Sequence, residues 1–284
     1  MPLNAEYVLA RSFEPVETAI PDRDVMFYAL SIGLGRDPMD AHDLRYVYEK
    51  DLRVFPTMPI VVGHPGNWMV DPSTGITRTM VVHGAQRLTT FRDLPVGGTV
   101  VTTNKVTEIW DKGEKGAVMD MRRETFDKAS GDLIARSDSS VFCRADGGFG
   151  GPSGESHAFL AVPERAADRS IEMPTEPSMA LFYRLNNDRN PLHAEPAFAA
   201  RAGFSRPILH GLATYGVAGV ALSKAFPERS LHAVEARFSK PVFPGETLAV
   251  DLWEESDGVA FRARVPSRDV TVLDRGRATF LPNQ

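Results

Sequence analysis

The alternation of apolar and polar positions along the chain predicts strands in both halves. Apolar residues occupy every second position of residues 259–265 and 248–252, and the same period of two recurs in residues 117–122. This period is typical of a strand with one buried face. Residues 211–226 are instead apolar on nearly every side and rich in alanine and glycine, which predicts a helix buried against a sheet. The pattern predicts an α+β fold in which antiparallel sheets wrap around a central helix.

The two halves of the chain repeat each other in order and spacing, which predicts a duplicated unit. Each unit would supply one helix followed by several strands, an arrangement known as a hot dog, and two tandem copies would pair as a double hot dog. The matched segments are residues 27–30 with 182–185, 36–41 with 189–194, 59–63 with 207–211, and 95–99 with 244–247.

The copies differ at the position of the central helix. Where the second copy has residues 211–226, the first has residues 63–72, which contain two prolines and two glycines and cannot form a continuous helix. The first copy is therefore expected to lack much of its helix. An apolar cavity is expected under its sheet in place of that helix.

A glycine seam, residues 147–154, separates the copies. It holds five glycines in eight positions, a composition that disfavours both helices and the interior of a sheet. We expect a degenerate N-terminal hot-dog domain in residues 1–150, a linker in residues 151–174, and a C-terminal hot-dog domain with an intact helix in residues 175–284.

Composition narrows the classes of function. The chain of 284 residues has a net charge of −5 and a pI of about 5.8, which argues against a nucleic-acid partner. It has no uninterrupted apolar run of about 18 residues, so we expect no association with a membrane through a spanning helix. The single cysteine, Cys143, and the lack of a His-x-x-x-His pair leave a disulfide or a metal site unsupported. With no secretory signal at its start, the protein is expected to be cytoplasmic.

One segment of the second copy concentrates side chains suited to acid–base chemistry. Asp188 and Asn190 precede Pro191, which disfavours helix at Asn190 and predicts a loop followed by a short helix around His193. A carboxylate and an imidazole five residues apart across such a turn can contact one water molecule. Taken alone, the pair also fits a helix cap beside a partly buried structural histidine.

Two observations favour a catalytic role for this segment over a purely structural one. The first copy has Asp37 and Asp40 at the places of Asn190 and His193, so only one copy carries the full set. Gly211 begins the predicted central helix, where a free N–H and the positive end of the helix dipole can bind an oxyanion. Together these groups are the parts needed to add water across a conjugated thioester.

Motifs in both copies resemble a known family. They lie in residues 183–193, 203–212 and 236–245 of the second copy, in residues 43–49, 82–86 and 111–113 of the first, and in the glycine seam. Over almost the whole chain they are similar to the MaoC-like hydratase 2 family, above all to the (R)-specific enoyl-CoA hydratase 2 domain of peroxisomal multifunctional enzymes and its bacterial counterparts. One departure is Asn187, where the family usually has glycine; asparagine also tolerates the left-handed conformation, so the turn is expected to form.

The resemblance implies a reversible hydration of trans-2-enoyl-CoA to (3R)-3-hydroxyacyl-CoA, without metal or redox cofactor. It assigns catalysis to Asp188 and His193, helped by Asn190, and does not say which of the first two moves which proton. It places the N–H of Gly211 on the thioester oxygen. The cavity expected under the sheet of the first copy would then take the acyl chain of an acyl-CoA ligand, so we expect the acyl chain in the N-terminal domain. The substrate contacts that it implies are His83, Gly84, Lys112, Arg189, Pro191, Leu192 and Phe238.

Two other functions stay open at the level of the sequence. A hot-dog thioesterase would use the same pocket to hydrolyse the thioester, and a non-catalytic protein would only bind it. The preferred acyl chain and the carrier, CoA or acyl carrier protein, are also open. Hot-dog sheets commonly pair, and the two copies within one chain already form one such pair. The protein could therefore be a pseudo-dimeric monomer or a homodimer.

Overall fold

In the computed structural model, which describes residues 3–155 and 157–282, ten antiparallel strands form one continuous sheet. The strands are β1 (Val16–Ala19), β2 (Val81–Thr90), β3 (Thr99–Asp111), β4 (Ala117–Asp127), β5 (Leu133–Cys143), β6 (Arg169–Pro174), β7 (Arg229–Phe238), β8 (Thr247–Glu255), β9 (Gly258–Val265) and β10 (Val270–Pro282). Across the sheet they follow the order β1-β3-β4-β5-β2-β7-β10-β9-β8-β6. The two copies therefore join where β2 pairs with β7, with Ala85 opposite Arg237.

Apart from the central helix, the α-helices in the described residues are short. The α-helices are α1 (Ala5–Leu9), α2 (Asp22–Ser31), α3 (Ala41–Val47), α4 (Met179–Tyr183), α5 (Pro196–Arg201) and α6 (Gly211–Ala225). Among them, no helix combines the length and the hydrophobicity needed to cross a membrane. An antiparallel sheet with helices in each copy confirms the predicted α+β class.

The predicted central helix is confirmed as α6, which begins at Gly211 as expected and ends at Ala225. Twelve of its 15 residues are buried. A Cβ at Gly216 would lie 2.6 Å from the side chain of Ile32, so this glycine lets the first copy approach the helix closely. The central helix of the second copy is therefore packed against the first copy as well.

Residues 62–72 of the first copy, all of them described, form no α-helix, as their prolines and glycines predict. Trp68 lies in this segment and is only 7% exposed. It belongs to a hydrophobic cluster with Val106 on β3, Met119 on β4 and Val141 on β5. The space that the sequence predicted to be an apolar cavity is thus partly filled by Trp68.

Main-chain carbonyl groups of the segment before Trp68 are not bonded within an α-helix. Two side chains donate hydrogen bonds to them instead. Arg123 donates from Nη1 to the carbonyl oxygens of Ile60 at 2.8 Å and Val62 at 3.1 Å. Asn104 donates to the carbonyl oxygen of Gly63 at 3.1 Å. Burial lowers the pKa of Arg123 to about 10, which leaves the guanidinium charged at neutral pH. Since buried carbonyl groups need a partner, these two side chains order an otherwise irregular segment.

The glycine seam folds around the carboxylate of Asp111. The N–H groups of Gly148 and Gly150 each donate to this carboxylate at 2.8 Å. Gly147 has no room for a side chain, because a Cβ there would lie 2.1 Å from the carbonyl oxygen of Gly113. The glycines thus allow the backbone to wrap closely around one acidic side chain.

The linker expected in residues 151–174 ends before residue 169. Arg169–Pro174 forms β6, which pairs with β8 at the edge of the sheet, with Ile171 opposite Val250. For these six residues the linker prediction is wrong. The strand was missed because most of its side chains are exposed, as is common in an edge strand, so the apolar alternation is weak.

Candidate active site

The Asp188 turn, residues 186–190, follows α4 and is held against the first copy. Asn187 has a φ of +70°, the left-handed conformation that asparagine tolerates, as the sequence analysis expected. Its side-chain amide donates to the carbonyl oxygen of Val61 at 3.3 Å. The amide of Asn186 donates to the hydroxyl of Ser31 at 2.8 Å. Two hydrogen bonds to the other copy therefore fix the position of this turn.

Asp188 and Asn190 are linked through the backbone of the turn. A carboxylate oxygen of Asp188 accepts the N–H of Asn190 at 3.2 Å. The side-chain oxygen of Asn190 accepts the N–H of Leu192 at 3.1 Å and so caps the short 3-10 helix Pro191–His193. The loop and short helix predicted from the Asn-Pro sequence are confirmed.

One hydrogen bond fixes the ring of His193. Its Nδ1 lies 2.8 Å from the carbonyl oxygen of Ile208, which can only accept, so Nδ1 carries the proton and Nε2 keeps a lone pair. The side chain is buried, and desolvation lowers the pKa of His193 although the charge of Asp188 acts in the opposite direction. At neutral pH the imidazole is therefore a neutral base.

Asp188 lies beside two imidazoles. One of its carboxylate oxygens and a ring nitrogen from each of His193 and His210 lie within 4.8 Å of one another. Desolvation raises the pKa of Asp188, but the two histidines and the N–H of Asn190 outweigh it and hold the pKa below its usual value. Two hydrogen bonds of about 2.8 Å to one water molecule can bridge such a separation. The geometry therefore fits a water molecule activated by a carboxylate and a neutral imidazole.

Asp188, His193 and His210 are of the residue types that bind metal ions, but their arrangement favours binding of a water molecule over a metal ion. The rings of His193 and His210 are stacked, with centroids 3.6 Å apart and planes 25° apart. The nitrogen lone pairs of nearly parallel stacked rings lie in two separate planes, whereas the ligands of one zinc ion point to a common centre about 2 Å away. The metal-free site expected from the sequence stays a prediction that this geometry supports.

Gly211 lies at the start of α6, where its N–H has no partner inside the helix. A Cβ at this position would lie 3.1 Å from the ring of Phe238, so the aromatic ring covers the backbone here. His210 directly precedes Gly211 and contacts the carbonyl oxygen of Asp188. The structure therefore brings the predicted oxyanion donor to the predicted acid–base pair.

The rings of His83 and Phe238 contact each other close to Gly211. Their ring centroids are 4.7 Å apart in a T-shaped contact. The Nε2 atom of His83 is buried and has no hydrogen-bond partner among the described residues, and burial lowers the pKa of His83 to about 4. Gly84 is the extra residue of a β-bulge between β2 and β5. Three of the predicted substrate contacts thus lie together near the helix start.

Of the remaining predicted contacts, Lys112 lies farther out, whereas Arg189, Pro191 and Leu192 flank Asp188 and His193 in the chain. Lys112 follows β3, three strands away from β2, which is about 14 Å at the usual strand spacing. Its ammonium group contacts the carbonyl oxygen of Gly154. Arg189 is exposed in the Asp188 turn, whereas Pro191 and Leu192 are half-buried. The structure does not bring Lys112 into contact with the acid–base pair.

The first copy also contributes titratable groups near the site that were not predicted from the sequence. His64 lies close enough to Asp188 to lower its pKa, although desolvation acts more strongly in the opposite direction. Arg78 adds to the desolvation that lowers the pKa of His193. No pattern in the sequence marked these residues, because their proximity depends on the pairing of the two copies.

No role for His210 was predicted from the sequence, although the internal repeat carries a signal for one. In the internal repeat, Val62 of the first copy stands at the position of His210. His210 therefore occurs in one copy only, which is the criterion that singled out His193.

The first-copy counterpart of the site is a cluster of ion pairs that joins two helices. Asp40, which matches His193 in the repeat, caps α3 by accepting the N–H of His42 at 2.9 Å. The ammonium group of Lys224 lies 2.7 Å from Asp40 and 2.9 Å from Asp43. Because Lys224 is near the C-terminal end of α6, these α3–α6 ion pairs tie the first copy to the central helix.

We expect Asp40→Ala to leave the activity of the site unchanged and to lower the free energy of unfolding by about 1–2 kcal/mol, since it removes a cap and an ion pair. Lys224 lowers the pKa of Asp40. The ion pair therefore stabilises the fold above about pH 4, and this contribution is lost as the pH falls further. Denaturation at about pH 7 and about pH 3 measures both effects. An equal difference between wild type and variant at the two pH values would contradict the ion-pair contribution.

Known proteins match the chain in both copies. A family model for the MFE-2 hydratase 2 N-terminal domain matches residues 19–145, and one for the MaoC like domain matches residues 158–274. The enoyl-CoA hydratase ChsH3 of Mycobacterium tuberculosis is 37% identical, over 97% of this chain and 98% of its own. Both copies thus have a counterpart in one family.

Solved structures agree with these matches. A MaoC-like dehydratase from Phytophthora capsici superposes with a TM-score of 0.85 at 32% identity, over 98% of this chain and 99% of its own. A Mycobacterium tuberculosis protein with a double hotdog fold superposes with a TM-score of 0.61 over 96% of this chain and 97% of its own; its 15% identity bears on the fold alone. The predicted double hot dog is confirmed. The chain belongs to the MaoC-like hydratase 2 family.

Proposed function

We propose that the protein catalyses the reversible hydration of trans-2-enoyl-CoA to (3R)-3-hydroxyacyl-CoA. The observation that carries this proposal is the meeting of the Asp188 carboxylate, the neutral imidazole of His193 and the first amide of α6 in one site. The name of the similar enoyl-CoA hydratase supports the same reaction. Such a hydration needs neither a metal nor a redox cofactor, and the proposal includes none.

In the proposed mechanism, a water molecule between Asp188 and His193 attacks C3 of the enoyl thioester. Its oxygen forms the bond to C3, its proton passes to one of the two bases, and the pair returns a proton to C2. Between these events negative charge lies on the thioester oxygen, which the N–H of Gly211 and the helix dipole stabilise. Asn190 supports the Asp188 carboxylate through its main-chain N–H.

We propose that the thioester end of the substrate lies against Phe238 and His83, since Phe238 covers Gly211 and contacts His83. We further propose that Lys112, which follows a strand three positions from β2 in the sheet, binds the phosphate groups of CoA. The acyl chain would enter the N-terminal domain. The further proposed contacts are Gly84, Arg189, Pro191 and Leu192.

The assembly and the location of the protein stay predictions. The pairing of β2 with β7 already joins two hot-dog copies within one chain. Sedimentation of the purified protein distinguishes a pseudo-dimeric monomer from a homodimer. The cytoplasmic location is proposed from the sequence alone.

Turnover of crotonyl-CoA tests the proposed reaction. Hydration removes the conjugated absorbance of the enoyl thioester without releasing thiol, whereas a thioesterase releases free thiol and a binding protein changes neither signal. We expect loss of the absorbance alone, insensitive to a chelator, with the (3R) alcohol as product. Release of thiol, or an unchanged absorbance, would overturn the proposal.

One cluster outside the site has the form of a Ser-His-Asp triad, which bears on the thioesterase alternative. Nε2 of His42 lies 2.8 Å from the hydroxyl of Ser223, and Nδ1 lies 3.2 Å from the carboxylate of Asp43. However, Asp43 is also paired with Lys224. Ser223 lies near the C-terminal end of α6, where its N–H is part of the helix and the dipole disfavours an oxyanion. The cluster therefore lacks the donor that acyl transfer requires.

Ser223→Ala is accordingly expected to leave turnover of crotonyl-CoA unchanged. The reason is that the hydroxyl belongs to the packing between α3 and α6 and not to the hydrating site. The same absorbance and thiol measurements check this variant beside the wild type. If thiol release were present in the wild type and absent from the variant, the triad would be functional.

A further inference from the structure

His210 contacts each part of the proposed site. Its ring stacks on that of His193, with centroids 3.6 Å apart. Its Nε2 lies 3.2 Å from the main-chain carbonyl oxygen of Asp188, which can only accept, so Nε2 carries the proton and donates. The next residue is Gly211, whose N–H is the proposed oxyanion donor. One side chain thus links the carboxylate turn, the imidazole and the start of the helix.

Burial and contacts with its neighbours hold the backbone and the ring of His210 in place. It is only 1% exposed, and its carbonyl oxygen accepts the N–H of Thr214 at 3.1 Å as the cap of α6. On the other side its ring contacts that of Tyr183, with centroids 5.0 Å apart. Desolvation lowers the pKa of His210 to about 3, so the ring is neutral at physiological pH. A neutral, immobile ring can hold its neighbours without adding charge to the site.

We propose that His210 is a positioning residue that keeps Asp188, His193 and Gly211 in the one geometry that water addition requires. The proposal rests on the hydration proposed above. Without His210, the Asp188 turn loses a hydrogen bond and His193 loses the ring against which it is stacked. Its other nitrogen, Nδ1, is buried, so we assign it no proton transfer. A displacement of about 1 Å in a catalytic group can lower a rate by about 10²-fold, which sets the scale of the effect.

Two substitutions test the ring contact and the hydrogen bond of His210 separately. His210→Phe keeps a ring against His193 and removes the donor to Asp188. His210→Gln removes the ring and places an amide donor at about the position of Nε2. We expect the Phe variant to lose about 10- to 100-fold in kcat with KM nearly unchanged, and the Gln variant to recover part of that loss.

His232 provides a matched control outside the site. Its Nδ1 donates to the carbonyl oxygen of Thr90 at 2.9 Å, and its ring contacts that of Phe91 in a T-shaped arrangement. His232→Phe therefore removes the same kind of bond from a half-buried histidine. Its kcat should stay at the wild-type value, which separates positioning from a general effect of losing a histidine.

A measurement that needs no turnover separates this proposal from the proposed reaction. Amide hydrogen exchange of residues 186–193 should speed up in His210→Phe and stay close to wild type in His210→Gln. If the Phe variant does not fold, His210→Asn takes its place, because its shorter side chain does not reach the Asp188 carbonyl. Equal exchange in all variants overturns the positioning role whatever the reaction is. Full kcat in His210→Phe overturns it too, whereas an inactive wild type refutes only the hydration.

Discussion

Asp188→Asn is expected to lower kcat for hydration by about 10²- to 10⁴-fold while leaving the fold intact. The amide oxygen of the variant can still accept the N–H of Asn190, so little stability is lost. What the variant lacks is a negatively charged proton acceptor beside His193. Absorbance assays with crotonyl-CoA, together with thermal denaturation, measure the two effects separately.

The internal repeat offers a matched control for this prediction. Asp40→Asn makes the same chemical change at the first-copy position that corresponds to His193, within the α3–α6 ion pairs. We expect its kcat to equal that of the wild type. His193→Ala, in contrast, should lose activity to an extent similar to Asp188→Asn. Near-normal rates in both second-copy variants, or a collapse in Asp40→Asn, would contradict the assigned site.

Trp68→Ala is expected to lower the free energy of unfolding by about 3–5 kcal/mol and to favour longer acyl chains. The indole is buried, with the ring of Phe13 5.3 Å away edge-on and the guanidinium of Arg11 5.6 Å from its centre. Its removal opens space under the first-copy sheet, where the acyl chain is proposed to lie. Each further buried methylene contributes about 0.8 kcal/mol, so the ratio of kcat/KM for an eight-carbon substrate to that for crotonyl-CoA should rise.

Trp253 of the second copy provides the comparison for Trp68. It is equally well buried, at 4% exposed, but lies on β8, and its indole N–H donates to the carbonyl oxygen of Arg165 at 2.8 Å. Trp253→Ala should therefore destabilise the protein without changing the chain-length ratio. An unchanged ratio in Trp68→Ala would show that the acyl chain does not lie near this side chain.

Features with a local physical cause were predictable from the sequence. The start of α6 at Gly211 followed from one long apolar run, and the turn at Asn187 followed from the conformations open to asparagine. The pairing of Asp188 with His193 followed from their spacing across Pro191 and from their absence in the first copy. In each case the local sequence carries enough information to predict the feature.

Features that depend on distant partners were not predictable in the same way. The edge strand β6 has few apolar residues, and its pairing with β8 orders it. Trp68 occupies space that the lost helix left, which proline and glycine content could not reveal. The hydrogen bonds from Arg123 to the carbonyl oxygens of Ile60 and Val62 likewise arise only when the sheet and the irregular segment meet.

The bonds from the Asp188 turn to Ser31 and Val61 have a consequence for how the duplicated gene can evolve. The copy that carries the acid–base pair relies on the other copy to hold that pair in place. Substitutions at these first-copy contacts are therefore expected to change catalysis without altering any reacting group. We therefore expect a chain divided within the glycine seam to regain activity only when its two fragments reassemble.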